Sequence, residues 1–339
     1  MKLITRFIRW TAILVGVLGL LSVGLFLATA GDHSVPATVA TDPTLPHVTI
    51  DGVTFHAETF GDPQNPTMVV VHGGPGGDYG YLLNLHQLAD KYHVVFYDQR
   101  GAGLSPRVDA SELSLTSSIE DLHRIVTHYG QGEPVHLVGH SWGAMLAAGY
   151  LGQHPAFVTK AVLAEPGELT NSSPTALQER QAAARDIRYY RVLIPTIFET
   201  FHMEPPDADA RADYIFGRMS QAFVGSSASS YRCADEDVSE TTPAVPVPPS
   251  RFGATAFSTI FGEQADLSAI AANAGNYTNE VLFIASECNN FIGEAFQRRQ
   301  MTIFPNTQLV VIPNAGHNMI TENPVDTLRV IRDYFADAS

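Results

Sequence analysis

Only two cysteines, Cys233 and Cys288, occur in 339 residues. That excludes a multi-disulfide scaffold and a four-thiolate zinc site, and leaves room for one bridge. Positive charge is also scarce: 20 Lys and Arg face 35 Asp and Glu, a formal net charge of −15. A surface with that excess of acid repels phosphate backbones, so nucleic acid is excluded as a partner. Charged residues make up only 16% of the chain while hydrophobic ones make up 45%, a balance that builds a packed core rather than a disordered chain. The length suits one large domain, or a core carrying an inserted subdomain. No internal repeat is visible.

Charge is absent altogether between Thr11 and Ala30, and the ten residues before that run carry Lys2, Arg6 and Arg9 without an acid. About 20 apolar residues suffice for a helix to cross a bilayer, and basic residues retained inside would leave the remainder on the outer face. Ala28-Thr29-Ala30 equally fits the small-x-small rule of a signal-peptidase site. Residues 1–30 are therefore expected to be a cleaved signal peptide or a membrane anchor through residues 11–30, and either exports the protein. Residues 31–46, with Pro36, Pro43 and Pro46, read as a linker. Export makes a Cys233–Cys288 disulfide chemically permissible. Asn171-Ser172-Ser173 and Asn276-Tyr277-Thr278 match the glycosylation sequon, which matters only in a host that glycosylates.

Beyond the linker, β-branched runs alternate with helical patterns. Val53–Phe60, Thr67–Val71, Val94–Tyr97, Val135–Val138, Lys160–Ala164, Val281–Ala285 and Gln308–Ile312 read as strands. Ser117–His128, Ala144–Leu151 and Val325–Phe335 read as helices. This alternation predicts an α/β fold, with a mostly parallel sheet flanked by helices. Residues 167–276 break the rhythm with long helical patterns (Ala176–Phe201 and Asp209–Phe223) and a Pro-rich loop, Thr242–Pro249. They are expected to form an inserted, mostly helical cap between a core of residues 47–166 and a second core segment of residues 277–339.

Gly139-His140-Ser141-Trp142-Gly143 is a G-x-S-x-G that directly follows an apolar strand and precedes an Ala-rich helix. That context pushes a serine hydroxyl out at the carboxyl edge of a sheet, which makes Ser141 the candidate nucleophile. A serine needs a base, and Ala315-Gly316-His317, between the last strand and the last helix, supplies His317. His72 and His140 flank the motifs and are expected to serve as structural hydrogen-bonders. His123 and His128, five apart, point to different faces of a helix and make no metal pair. In His72-Gly73-Gly74-Pro75-Gly76 the glycines let backbone approach a substrate carbonyl. The N–H groups of Gly74 and Trp142 are the candidate oxyanion hole.

Together VVVHGGPGG, FYDQRGAGLSPR, VGHSWG and NAGHNM resemble the α/β-hydrolase superfamily, and within it the proline iminopeptidase-like branch. The resemblance covers roughly residues 50–165 and 278–337; it leaves the cap unmatched and implies a structural role for Asp98–Ser105. The family's usual acid position, after the strand that follows the cap, is Asn289 here. An amide can orient an imidazole but cannot stabilise an imidazolium as a carboxylate does. Glu165, directly after the strand Lys160–Ala164, is the expected acid, as some α/β hydrolases, haloalkane dehalogenases among them, carry it at that strand end. Glu287, Asn289 and Glu168 are the alternatives. Cys288 shares the acid loop, so a bridge to Cys233 would fix the cap over the site.

The expected activity is that of a serine hydrolase working through an acyl-enzyme, with no metal or organic cofactor. Its substrate is a small ester or a short peptide bearing an N-terminal proline amide. Cleaving the latter requires cap carboxylates to hold an ammonium, and Glu199, Glu204 and Asp207 are available. Dehalogenase and epoxide hydrolase chemistry are disfavoured because both need a carboxylate at position 141. The competing reading is a catalytically impaired binding protein on the same scaffold, which Asn289 favours. The oligomeric state stays open.

Overall fold

The computed structural model describes residues 2–170, 187–224, 231–233, 242–262 and 265–336. Its strands are β1 (His47–Ile50), β2 (Val53–Phe60), β3 (Thr67–Val71), β4 (His93–Tyr97), β5 (Val135–His140), β6 (Val158–Ala164), β7 (Val281–Ser286) and β8 (Thr307–Ile312). They form one sheet in the order β1-β2-β4-β3-β5-β6-β7-β8, parallel from β4 to β8, with β1 and β2 antiparallel at one edge. β3, β4, β5 and β7 are buried along their whole length, as strands covered on both faces must be.

The helices in chain order are α1 (Lys2–Ala28), α2 (Leu115–Gly130), α3 (Trp142–Gln153), α4 (Ile187–Glu199), α5 (Ala210–Val224), α6 (Ala254–Ile260), α7 (Glu294–Gln300), α8 (Met319–Glu322) and α9 (Pro324–Ala336). On one face of the sheet, Ile119, Leu122 and Ile125 of α2 and Leu146, Ala147 and Tyr150 of α3 build one apolar core. On the other face, Leu82, Leu85 and Leu88 of the 3-10 segment Gly80–Asp90 join Leu328, Ile331 and Phe335 of α9. No residue of Ile4–Ala28 in α1 is buried, and that stretch is long and apolar enough to cross a membrane.

Three details depart from the sequence reading. The first strand begins before Val53: β1 pairs with β2 through Asp51 and Gly52, both at positive φ (50° and 82°). The Asp-Gly pair between two β-branched runs was the available hairpin signal. Residues 31–46 are not a free linker, because Thr38 and Val39 are buried and the Val39 N–H donates to the Leu104 carbonyl at 2.9 Å. The cap ends earlier than residue 276, since Leu267, Ile270 and Ala274 sit in the core cluster with α3. Apolar side chains at that spacing are drawn against the small-residue face of α3 and away from the cap. Residues 176–186 of the expected first cap helix, and Asn171 of the first sequon, lie outside the described residues. Asn276 of the second sequon is exposed.

The cap is fastened to the core by a buried charge cluster. Arg251 is wholly buried and donates from Nε to Asp213 Oδ2 at 2.8 Å and from its two NH groups to Asp207 at 2.8 and 2.7 Å. Arg107, in the loop beyond β4, donates to the same Asp213 oxygen at 2.8 Å. Two guanidinium groups thus face two carboxylates, and the cluster is neutral.

A disulfide joins Cys233 to Cys288, with a Cα–Cα distance of 4.7 Å. Thiol titration of denatured, unreduced protein is therefore expected to find no free thiol, and two would refute the bridge.

Candidate active site

β5 ends at His140 and α3 begins at Trp142, so Ser141 must turn the chain within one residue. It does so at φ 56° and ψ −122°, a left-handed conformation that a non-glycine residue holds only under strain. The turn needs glycine on both sides. A side chain on Gly143 would collide with the Val71 carbonyl, and one on Gly139 would lie 2.6 Å from the Gly143 carbonyl oxygen. Ser141 N–H donates to the Ala164 carbonyl at 2.9 Å. Its half-buried hydroxyl has no hydrogen-bond partner among the described residues.

Glu165 follows the last residue of β6. It is fully buried and holds a left-handed φ of 42°, which turns its carboxylate along the sheet edge toward the ends of β7 and β8. Oε2 accepts from His317 Nδ1 at 2.7 Å and from Asn289 Nδ2 at 2.7 Å. Oε1 accepts from the Ser286 N–H at 2.7 Å and the Ser286 hydroxyl at 2.5 Å. Four donors on one buried carboxylate satisfy both of its oxygens and fix its orientation. Asn289 is locked in turn, because its Oδ1 accepts the N–H groups of Phe291 and Ile292 at 2.9 and 3.0 Å. Only its amide nitrogen can then face Glu165.

The structure thus brings Glu165, His317 and Asn289 together, while Ser141 makes no hydrogen bond to His317. Glu287 is exposed and turned away, accepting the Asn314 N–H at 2.9 Å. Glu168 binds its own loop through Thr170 at 2.5 Å.

The glycine loop after β3 lies against the serine: a Cβ on Gly73 would fall 3.0 Å from that of Ser141. Gly74 has φ 128°, a region that residues with side chains avoid. Among the described residues neither its N–H nor that of Trp142 has a partner. Gly73 N–H is occupied, donating to the Tyr81 hydroxyl at 2.8 Å.

Tyr81 continues a chain that links three loops. Its hydroxyl lies 2.8 Å from His140 Nδ1, and His140 Nε2 lies 2.8 Å from the His317 carbonyl oxygen. A carbonyl can only accept, so Nε2 carries the proton, Nδ1 accepts from Tyr81, and His140 is neutral. Burial pushes its pKa well below the usual histidine value, and the neighbouring His317 acts in the same direction. His72 is buried in the glycine loop and likewise held down by desolvation; it accepts the Gln99 N–H at 2.9 Å. Gln99 also accepts from Trp142 Nε1 at 2.9 Å, which braces the start of α3.

On the cap side, the Tyr231 carbonyl accepts the His317 N–H at 2.6 Å and its ring lies 4.9 Å from the imidazole. The disulfide two residues on therefore pins this contact to the Asn289 loop.

A family model for the alpha/beta hydrolase fold matches residues 66–324. The chain is an α/β hydrolase.

Among curated relatives of this α/β hydrolase, a proline iminopeptidase of Heyndrickxia coagulans is 39% identical over 100 residues, 29% of this chain and 34% of the relative. A probable proline iminopeptidase of Streptomyces coelicolor is 32% identical over 180 residues, 51% of this chain and 53% of the relative. The matched stretches thus span from a third to about half of those proteins. Among solved structures, the Mycobacterium smegmatis proline iminopeptidase superposes with a TM-score of 0.59 at 20% identity, covering 86% of this chain and 97% of that one. VinJ superposes with a TM-score of 0.61 at 20% identity, over 86% of this chain and 98% of that one. Both carry the same fold.

The sequence does not single out Tyr81, and it marks Gln99 only within the structural run Asp98–Ser105; their partners lie 59 and 43 residues away. In the hydrolase, Tyr81→Phe removes the acceptor for a buried N–H and the donor to His140. Stranding such a group costs about 1–3 kcal/mol, so the variant is expected to lose melting temperature and about tenfold in kcat. Unchanged kcat would remove Tyr81 from the network.

Stability should also fall in acid. His72 and His140 have depressed pKa values, and His136 is lowered to about 4 by burial. Their stabilising contribution is full above the unfolded value of about 6.5. It is lost as pH falls toward the folded values, because only the unfolded chain takes up protons in that window. Calorimetry at pH 7 and pH 5 should show a lower melting temperature at pH 5, and a flat profile would refute neutral burial.

Proposed function

We propose that this α/β hydrolase is an exported serine hydrolase working through an acyl-enzyme, with Ser141 as nucleophile, His317 as base and Glu165 as the acid that orients it. The contact of His317 Nδ1 with buried Glu165 at 2.7 Å carries the reading, since it supplies the carboxylate whose absence at position 289 favoured an impaired protein.

As substrate seats, Ser141 Oγ closes on His317 Nε2 and attacks the carbonyl carbon while Nε2 takes its proton. Nδ1–H stays on Glu165, which stabilises the imidazolium. Gly74 and Trp142 N–H groups, without other partners among the described residues, receive the developing oxyanion. His317 then returns the proton to the departing alcohol or amine, and water repeats the sequence to release the acid.

A small carboxylic ester is the favoured substrate. A peptide with N-terminal proline requires a carboxylate at the site for its ammonium, and of the cap acids considered above two are otherwise engaged and the third faces solvent. Glu199 pairs with Arg218 at 3.4 Å and accepts from Tyr214, Asp207 pairs with Arg251, and Glu204 is exposed. The relatives' names favour the peptide as a second reading.

Fluorophosphonate labelling tests the activated serine, with a single adduct expected on Ser141. Parallel assays on p-nitrophenyl butyrate and proline p-nitroanilide separate the two substrates. Absence of labelling would return the chain to the class of binding proteins.

A further inference from the structure

Helix α4 turns an apolar face to the outside of the cap. Ile187, Tyr190, Ile194 and Ile197, and Phe201 in the turn that follows, are 66, 45, 46, 37 and 61% exposed. Their spacing of three and four residues aligns all five in one stripe. Thr196, on the opposite side of the helix, is buried in the cap. Arg191, exposed, borders the stripe, and the helix carries a single acid, Glu199. On a chain with a net charge of −15, the stripe itself carries no charged side chain.

The stripe meets the foot of α1. His202, one residue beyond Phe201, donates from Nε2 to the Phe26 carbonyl at 2.8 Å, and its ring lies 4.2 Å from that of Phe26. Just past α1, His33 Nδ1 lies 3.1 Å from the Tyr214 hydroxyl of α5. The cap therefore grips the last turn of the apolar helix, which is where a spanning helix would leave the bilayer. Cleavage after Ala30 would delete Phe26 and strand His202.

We propose that the apolar face of α4 rests on the outer surface of the membrane that α1 spans. The proposal relies on α1 being a retained anchor. A lipid interface accepts apolar side chains about 5–10 Å deep, with tyrosine at headgroup level and an arginine such as Arg191 reaching to phosphate. Anchored at Phe26, the stripe starts at that interface, so the cap is held down at one end and the catalytic edge beneath it faces a fixed direction.

The test uses the full chain in vesicles of phosphatidylcholine and phosphatidylglycerol, with and without bromine on the acyl chains. Ile194→Trp and Phe201→Trp are made in a Trp10→Phe background, in which the remaining Trp142 is buried. Phe157→Trp, at a 39% exposed position beside the opposite end of β6, is the control. Brominated lipid is expected to lower emission at 194 and 201 by about twofold and to spare 157, as insertion to acyl depth requires. Quenching at 194 and 201 no greater than at 157, in a chain whose intact mass includes α1, overturns the docking and leaves the anchor standing. A crosslinked dimer through position 194 without quenching assigns the face to a second copy and also overturns it. A mature chain that starts beyond residue 30 and stays out of the vesicles overturns anchor and docking together.

Discussion

Glu165→Gln should lower kcat by about 10⁴-fold, the loss seen when a triad carboxylate becomes an amide. The geometry explains why the loss should be that large. Among the described residues His317 Nδ1 has one carboxylate within hydrogen-bond distance, at 2.7 Å. A glutamine there turns either its NH₂ toward Nδ1, enforcing the wrong tautomer, or its oxygen, which leaves the imidazolium without a counter-charge. The same site contains a rescue. Asn289 Nδ2 sits 2.7 Å from the oxygen that His317 uses, and position 289 is where the resemblance places the acid. In Glu165→Gln/Asn289→Asp the two groups exchange roles: the amide introduced at position 165 donates to the carboxylate introduced at position 289, as Asn289 now donates to Glu165. The double variant is expected to regain part of the lost kcat, whereas Asn289→Asp alone sets two carboxylates side by side and lowers it. Full activity in Glu165→Gln would move the acid elsewhere.

Asp213→Ala should be the most damaging single change outside the site. Its Oδ2 serves Arg107 and Arg251, each at 2.8 Å, and its Oδ1 accepts the Ala254 N–H at 2.9 Å. Arg251 is wholly buried. Removing the carboxylate leaves an uncompensated buried cation, and breaking such pairs costs about 3–5 kcal/mol. Desolvation already pulls the Arg107 pKa down against the attraction of Asp213, and Asp207, which binds Arg251 through two hydrogen bonds, would be left as one carboxylate for two arginines. Melting temperature should fall, and limited proteolysis should cut the cap before the core. A variant as stable and protease-resistant as the parent would show that the cluster does not hold the cap.

How far the site was legible depended on whether a residue's neighbours in sequence were also its neighbours in space. Ser141 and the glycine loop announce themselves because a tight strand-to-helix turn and a close backbone approach each demand glycine at fixed local offsets. Glu165 was legible through position, as an acid directly behind a buried strand, and through the amide at 289. Gln99 was legible only as part of the structural run Asp98–Ser105, and Tyr81 and the grip of Arg251 were not legible, because each acts across loops and nothing local constrains its type.

By itself the sequence determined the period of each element, the parallel sheet, the turn that exposes Ser141, and the candidate acids at the sheet edge. These follow from steric and burial rules that act over a few residues. The tertiary structure alone decided which carboxylate reaches His317. The left-handed turn at Glu165 directs its carboxylate along the sheet edge to His317, while Asn314 holds Glu287 in solvent, and that choice rests on contacts made across 152 and 27 residues. It also decided that Asn289 serves as a donor, since backbone N–H groups already claim its oxygen.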